Sequence, residues 1–149
     1  MSQDNISKKI EETIKDIILQ AGNKNEILVG DCHCNHNYTN TQKHILMLLK
    51  NENISNKELA YHLNISQAAV TKAIKFLINE DIIIPEKDPN DARIIKYILS
   101  EKAIYIAKEH EEHHKRTLNH YDNLLSKYSE SEKKLISNFL DDLVKSIRG

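Results

Sequence analysis

The segment from residue 54 to residue 78, ISNKELAYHLNISQAAVTKAIKFLI, constrains the fold most, because it holds two short amphipathic helical patterns joined by a tight turn. Ser55 and Glu58 form a capping-box pattern that opens the first helix. Asn64 tolerates the left-handed conformation that such a turn needs, and Ser66 can cap the second helix. The segment therefore predicts a helix-turn-helix, with an ordinary helical hairpin as the alternative.

The second helix of this motif has two distinct faces. Helical spacing turns Val70, Ile74 and Leu77 inward. No acidic residue lies between residues 66 and 79, so nothing on the outer face repels a phosphate backbone. Glutamine can bond adenine in two places, and lysine can reach guanine or phosphate. The predicted partner is double-stranded DNA, and its predicted contacts are Ser66, Gln67, Thr71, Lys72 and Lys75.

Composition indicates one mostly helical domain. The chain has 149 residues with only 3 Gly and 2 Pro, and 29% of its residues are charged. The formal net charge is -1. Attraction to DNA must therefore come from local clustering of positive charge.

The remaining elements fit a winged version of the motif. A first amphipathic helix ends near Gly22, a polar loop covers residues 30–40, and Thr39 with Gln42 opens the helix that packs beneath the motif. Apolar runs at residues 82–84 and 94–99 flank turn residues and predict a two-stranded hairpin. This hairpin would be a wing, with Arg93 at its base entering a neighbouring minor groove.

Two long helices follow the wing. The first begins at Ser100 and runs toward Lys127, and the second begins at Ser129 and carries an apolar face. These helices have no obvious partner within a small winged domain, so a two-fold homodimer is expected, with coverage of their own domain as the alternative. The chain shows no secretory leader and no apolar run of membrane-spanning length, which predicts a cytoplasmic protein.

Residues 109–114, EHEEHH, lie on the first long helix and contain two potential chelating pairs. Spacing of i,i+4 puts His110 and His114 on one face, and Glu109 and His113 on another. Further candidate ligands are Glu26 at the end of the first helix, His44 in the second helix, and Cys32, His33, Cys34 and His36 in the intervening loop. The cluster favours a Zn²⁺ sensor, against the alternative of a solvated helix face rich in Glu and His.

Residues 110–114 also match H-E-x-x-H, the pattern of zinc peptidases. A peptidase needs a catalytic cleft and the chain to build it, whereas the preceding residues are accounted for by the winged helix. No enzyme activity is therefore expected. Cys32 and Cys34 leave a second alternative, a redox-sensing regulator.

Five stretches closely resemble the MarR family of winged-helix repressors, and within it the zinc-responsive branch. They are NEILVGDC at 25–32, TNTQKHILMLL at 39–49, ISQAAVTKAIKFL at 65–77, NDARIIKYILS at 90–100 and KEHEEHHKRTL at 108–118. The resemblance covers nearly the whole chain. It implies an obligate dimer with interlocked terminal helices, whose zinc-bound form represses zinc-uptake genes.

The resemblance also implies two metal sites. The main regulatory site falls on Glu26, His44, His110 and His114. The second would use Cys32 and Glu109 together with a glutamate, at a position where this chain has Lys43. Either Lys43 repels metal, or Cys34, His33 or His36 supplies the missing ligand.

The sequence thus predicts a mainly α fold with a small β-hairpin wing, in one domain spanning residues 1–149. Residues 39–99 would form the DNA-binding winged helix-turn-helix. Residues 1–38 and 100–149 would form the dimerisation and metal-binding part. The expected function is homodimeric repression at palindromic operator DNA with Zn²⁺ as co-repressor.

Overall fold

The computed structural model describes residues 3–22, 24, 26–30 and 37–149. These residues form six helices and one antiparallel sheet of two strands. In chain order the elements are α1 (Gln3–Ala21), α2 (Asn40–Asn51), α3 (Asn56–Leu63), α4 (Gln67–Asn79), β1 (Ile83–Lys87), β2 (Ile95–Leu99), α5 (Glu101–Leu125) and α6 (Glu130–Arg148). The predicted fold, mainly α with a β-hairpin wing, is confirmed.

Side-chain caps explain where the helices begin. Thr39 accepts from Gln42 N and donates its own N–H to the Gln42 side chain, which completes the predicted capping box of α2. Ser66 caps α4 by accepting from Ala69 N. Ser55 caps α3, but its hydroxyl also contacts the Glu58 carboxylate, so the predicted return bond from Glu58 to the backbone is replaced.

The helix-turn-helix comprises α3 and α4. Asn64 between them adopts the predicted left-handed conformation, with φ of 53°. Leu59 of α3 and Val70 and Leu77 of α4 are fully buried, as their spacing predicted. They share one core with α2, β1 and the first half of α5, and Ile45 and Leu46 of α2 lie at its centre. The exposed side of α4 is therefore held on a packed core.

The wing is the β1–β2 hairpin, in which Ile83 pairs with Leu99 and Lys87 with Ile95. Arg93 lies in the loop between the two strands, at the tip of the hairpin. The prediction that Arg93 stands at the base of the wing is therefore wrong. The apolar run at 94–99 includes the residue that leaves the turn, so pairing begins only at Ile95.

The terminal helices keep their apolar faces exposed. No described side chain of α1 or α6 is buried. The exposed apolar residues of α6 are Leu135, Phe139, Leu140, Val144 and Ile147. Ile17, Ile18 and Leu19 of α1 are more than half exposed as well. Among the described residues, no helix has the length and apolar character needed to cross a bilayer.

Candidate metal centre and nucleic-acid interface

Three parts of the chain converge on one cluster of ligand-type side chains. α2 contributes His44, and α5 contributes His110 and His114 one turn apart. Glu26 completes the cluster. It lies beyond α1, which ends at Ala21, so the placement of Glu26 at the end of the first helix is wrong. The carboxylate is delivered by the irregular segment that follows that helix.

The distances within this cluster are short. Glu26 Oε2 lies 3.0 Å from both His44 Nδ1 and His114 Nε2, and Glu26 Oε1 lies 2.8 Å from His110 Nε2. The Nε2 atoms of His110 and His114 are 3.1 Å apart. One ligand atom from each of the four residues can be chosen so that all lie within 4.8 Å of one another. The four side chains therefore surround a common point.

One carboxylate oxygen of the cluster is buried without a well-aligned hydrogen bond. Glu26 Oε1 contacts His110 Nε2 at 2.8 Å, but the two are not aligned for a hydrogen bond, and no other described residue donates to this oxygen. Burial by itself raises the pKa of the Glu26 carboxyl, but contacts with the three histidines outweigh it and hold this pKa well below its usual range. Burial also lowers the pKa of His110, against the opposing charge of Glu26. At neutral pH the pair thus offers an ionised oxygen and a neutral ring nitrogen.

This donor set suits zinc. Three imidazole nitrogens and one carboxylate are ligand types that Zn²⁺ takes in tetrahedral sites, at about 2.0–2.1 Å. Ligands at that distance from a tetrahedral centre are about 3.3–3.4 Å apart, which lies between the close contacts of 2.8 to 3.1 Å and the 4.8 Å within which all four ligand atoms fall. A buried carboxylate oxygen without a hydrogen-bond donor is the group that a cation would satisfy.

Of the residues considered for a second metal site, Glu109 and Lys43 lie among the described residues. Cys32, His33, Cys34 and His36 lie outside the described residues. The Glu109 side chain raises the pKa of Tyr105 by hydrogen bonding and by its charge. Lys43 is buried in α2; burial lowers its pKa, and the nearby charge of Glu109 opposes that shift. The carboxylate of Glu109 therefore already lies near a positive charge of the protein itself, the Lys43 ammonium.

His113 is also engaged elsewhere. Its Nε2 lies 3.2 Å from the carbonyl oxygen of Val29, so this ring nitrogen faces the backbone rather than the Glu109 carboxylate. Thr117, one turn further along α5, accepts from the N–H of Val29 at 3.0 Å. Sequence patterns did not indicate these two bonds to Val29. Each bond joins a side chain to the backbone of a residue far away in the sequence, 84 residues from His113 and 88 residues from Thr117.

The glutamate of the H-E-x-x-H pattern does not contribute to the cluster. Glu111 Oε2 pairs with Lys50 Nζ at 3.2 Å, across the contact between α5 and α2. Glu111 is held in this ion pair and is not one of the four side chains that converge. The arrangement has the ligands of a peptidase motif without its general base.

The outer face of α4 is exposed, as the sequence predicted. Gln67, Thr71, Lys72 and Lys75 are exposed, and Ser66 is exposed at the N-cap. The Thr71 hydroxyl donates to the Gln67 carbonyl at 2.9 Å, which leaves its oxygen able to accept. On the wing, Arg93 is 91% exposed in its side chain and forms an ion pair with Asp91 at 3.1 Å.

Together the fold and the cluster define a winged helix-turn-helix protein with a candidate His/Glu metal site. A sequence model of the MarR family matches residues 38–95. The transcriptional regulator AdcR of Streptococcus pneumoniae serotype 2 (strain D39 / NCTC 7466) is 47% identical over 143 residues, covering 96% of this chain and 98% of the relative. The chain belongs to the MarR family of transcriptional regulators, a family of regulators and not of enzymes.

Solved structures agree with this assignment. The zinc-dependent MarR family regulator AdcR in the Zn(II)-bound state superimposes with a TM-score of 0.86 at 47% identity, over 99% of both chains. ZitR of Lactococcus lactis in complex with DNA superimposes with a TM-score of 0.89 at 41% identity, again over 99% of both chains. The predicted resemblance to the zinc-responsive branch is thus confirmed.

Proposed function

We propose that this chain is a homodimeric repressor that binds operator DNA with Zn²⁺ as co-repressor, and that it controls genes for zinc uptake. The observation that carries this proposal is the convergence of Glu26, His44, His110 and His114 from three separate parts of the chain. Likeness to a zinc-dependent relative and to a relative bound to DNA supports it.

The origin of the ligands explains how metal could change DNA binding. A pair of histidines on one helix would hold zinc without moving anything, whereas this cluster joins α5 to α2 and to the segment after α1. When bound, Zn²⁺ would neutralise the Glu26 carboxylate and fix these three parts relative to one another. His44 lies on the helix that supports the helix-turn-helix, so its position bears on the placement of α4. The ion shifts DNA affinity only if it binds the DNA-binding conformation and the other conformation of the protein with different affinities. The coupling free energy between two such sites is typically about 1–3 kcal/mol.

The DNA interface follows from the exposed surface. Ser66, Gln67, Thr71, Lys72 and Lys75 meet the major groove, and Arg93 at the wing tip meets the adjacent minor groove. Residues 39–99 form this DNA-binding region, and residues 1–38 and 100–149 form the dimerisation and metal-binding part. In a two-fold dimer the two α4 helices read successive major grooves about 34–36 Å apart, so the operator is a palindrome.

The dimer rests on the exposed apolar faces of α1 and α6. Leu135 of α6 is 68% exposed and Leu19 of α1 is 76% exposed, and large apolar surfaces of this kind mark protein contacts. A second copy would cover both faces at once. A DNA-binding regulator of this kind acts in the cytoplasm.

We also propose that the four-residue cluster is the main metal site of each subunit and that Lys43 weakens any second site. A buried ammonium beside Glu109 repels another cation in that place. Cys32 then matters less for the zinc response than His44 or His114.

The test is a titration of labelled DNA with the protein, in the presence of Zn²⁺ and in the presence of a chelator. The probe is a palindromic duplex that the protein itself selects from a random-sequence pool. Zinc is expected to tighten binding by about 5–150-fold, the range of typical coupling energies. Equal affinity in zinc and in chelator would contradict the co-repressor proposal, and failure to select any duplex would contradict DNA binding.

A further inference from the structure

The segment that carries Glu26 has no regular secondary structure, but its backbone is bonded to α5 at Val29. Both backbone polar groups of Val29 are bonded to side chains of that helix. Its N–H donates to Thr117 Oγ1 at 3.0 Å, and its carbonyl lies 3.2 Å from His113 Nε2. Two side chains thus take the place of the neighbouring strand that an extended segment would otherwise need.

Each hydrogen bond around Val29 has a defined donor and a defined acceptor. The Thr117 hydroxyl donates to the carbonyl of His113 at 2.9 Å, so its lone pairs face the Val29 N–H. His113 must carry a hydrogen on Nε2 to donate to the Val29 carbonyl. His113 and Thr117 are 7% and 4% exposed, so water does not readily substitute for either bond.

The same helix face performs two tasks. On α5, His110 and His114 reach Glu26, while His113 and Thr117 hold Val29, three residues further along the segment. Three residues of chain span at most about 10–11 Å, so the position of Val29 closely limits that of Glu26. A slip of the segment by one residue would break both bonds to Val29 and withdraw the carboxylate.

We infer that His113 and Thr117 are positioning residues for the metal centre: they bind no metal, but they hold the backbone of Val29 and thereby place Glu26 against the three ligand histidines. This inference rests on the proposed zinc site. It assigns His113, the second histidine of the EHEEHH segment, a role distinct from chelation. Bonds that orient a metal ligand typically contribute 10–100-fold to metal affinity.

The experiment measures zinc affinity by competition with a chelator, on the full-length protein and below its unfolding temperature. Thr117→Val removes the hydroxyl with almost no change of volume, and Thr117→Ser restores it. His113→Leu removes the donor, and His113→Gln restores an N–H at nearly the position of Nε2. His120→Leu, on an exposed residue of the same helix, is the matched control, and His114→Ala removes a ligand.

Thr117→Val and His113→Leu are expected to weaken zinc binding by about 10–100-fold and to change the visible spectrum of the Co²⁺-substituted protein. Ser and Gln at the respective positions are expected to recover most of the affinity, and His120→Leu to leave it unchanged. A loss of thermal stability alone would not follow this rescue pattern.

Two failures are distinguishable. If His114→Ala weakens zinc binding but Thr117→Val and His113→Leu bind like the wild type, the positioning role is wrong. If His114→Ala itself binds zinc like the wild type, the proposed metal centre is wrong.

Discussion

Lys50 of α2 and Glu111 of α5 form an ion pair, with Nζ and Oε2 3.2 Å apart and both side chains about one quarter to one third exposed. The pair lies on the helix contact that also contains His44 and His110. It connects α2 to α5 without metal, so these helices are expected to stay packed when zinc is removed. Loss of the metal is then expected to change the arrangement of the side chains around Glu26.

The two glutamates should respond differently to the same substitution. Glu111→Gln is expected to leave zinc affinity within about twofold of the wild type and to lower the free energy of unfolding by at most about 1 kcal/mol, since a partly exposed ion pair contributes little. Glu26→Gln removes the buried carboxylate charge and should weaken zinc binding more than about 100-fold, beyond the usual effect of a supporting residue. Chelator competition measures both. Equal losses for the two variants would contradict the assignment of Glu26.

The recognition helix and the wing should contribute in different ways. Lys72→Ala is expected to cost about 1–3 kcal/mol of discrimination at one base pair, whereas Arg93→Ala should weaken binding more evenly across sequences. Titration against a set of single-base operator variants separates the two patterns. Lys134→Ala on α6 is the matched control for loss of one exposed positive charge. Wild-type binding by both Lys72→Ala and Arg93→Ala would rule out this docking arrangement.

The apolar face of α6 should hold the dimer. Phe139→Glu places a charge in the middle of that face, and it is expected to shift the protein toward a monomer, because burying an unpaired carboxylate is costly. Asn138→Glu adds the same charge at the adjacent position of the same helix and should leave the dimer intact. Sedimentation equilibrium at micromolar concentration gives the masses. A dimeric Phe139→Glu protein would place the interface elsewhere.

Zinc affinity should fall when the solution becomes more acidic. Burial lowers the pKa of His110 below its ordinary value of 6.5, and contacts with the histidines hold the pKa of Glu26 well below its usual range despite burial. Both groups are therefore in their ligand form at pH 7, and protons compete with zinc only under more acidic conditions. Equilibrium dialysis at several pH values should show a flat affinity from pH 8 to 7 and a fall below about pH 6.5. A fall of equal steepness above pH 7 would contradict this.

Local sequence signals predicted most of the fold. Caps at Thr39, Ser66 and Ser129 are set by residues three positions apart, and the apolar spacing of α4 marks its buried face directly. The end of the turn in the wing was harder to predict from the sequence, because Arg93 and Ile95 belong to one continuous stretch of apolar and basic residues. Only the pairing register shows that the strand begins after Arg93.

The candidate site was only partly predictable. The i,i+4 spacing of His110 and His114 is a property of one helix, and it correctly indicated a shared face. The contributions of His44 and Glu26 depend on tertiary contacts, and residue patterns alone did not select them from the other candidates; the family resemblance did. The bonds to Val29 involve its backbone, which has the same donor and acceptor in every residue but proline, so no side-chain pattern marks them.

The most direct test of the zinc-dependent switch compares operator affinity with and without zinc in four proteins: the wild type, His44→Ala, His114→Ala and Cys32→Ala. The wild type should bind operator about 5–150-fold more tightly with zinc. His44→Ala and His114→Ala should lose that response, and Cys32→Ala should keep most of it, since Lys43 is proposed to weaken any second site. If both histidine variants keep the full zinc response while the cysteine variant loses it, the regulatory site does not lie at Glu26, His44, His110 and His114.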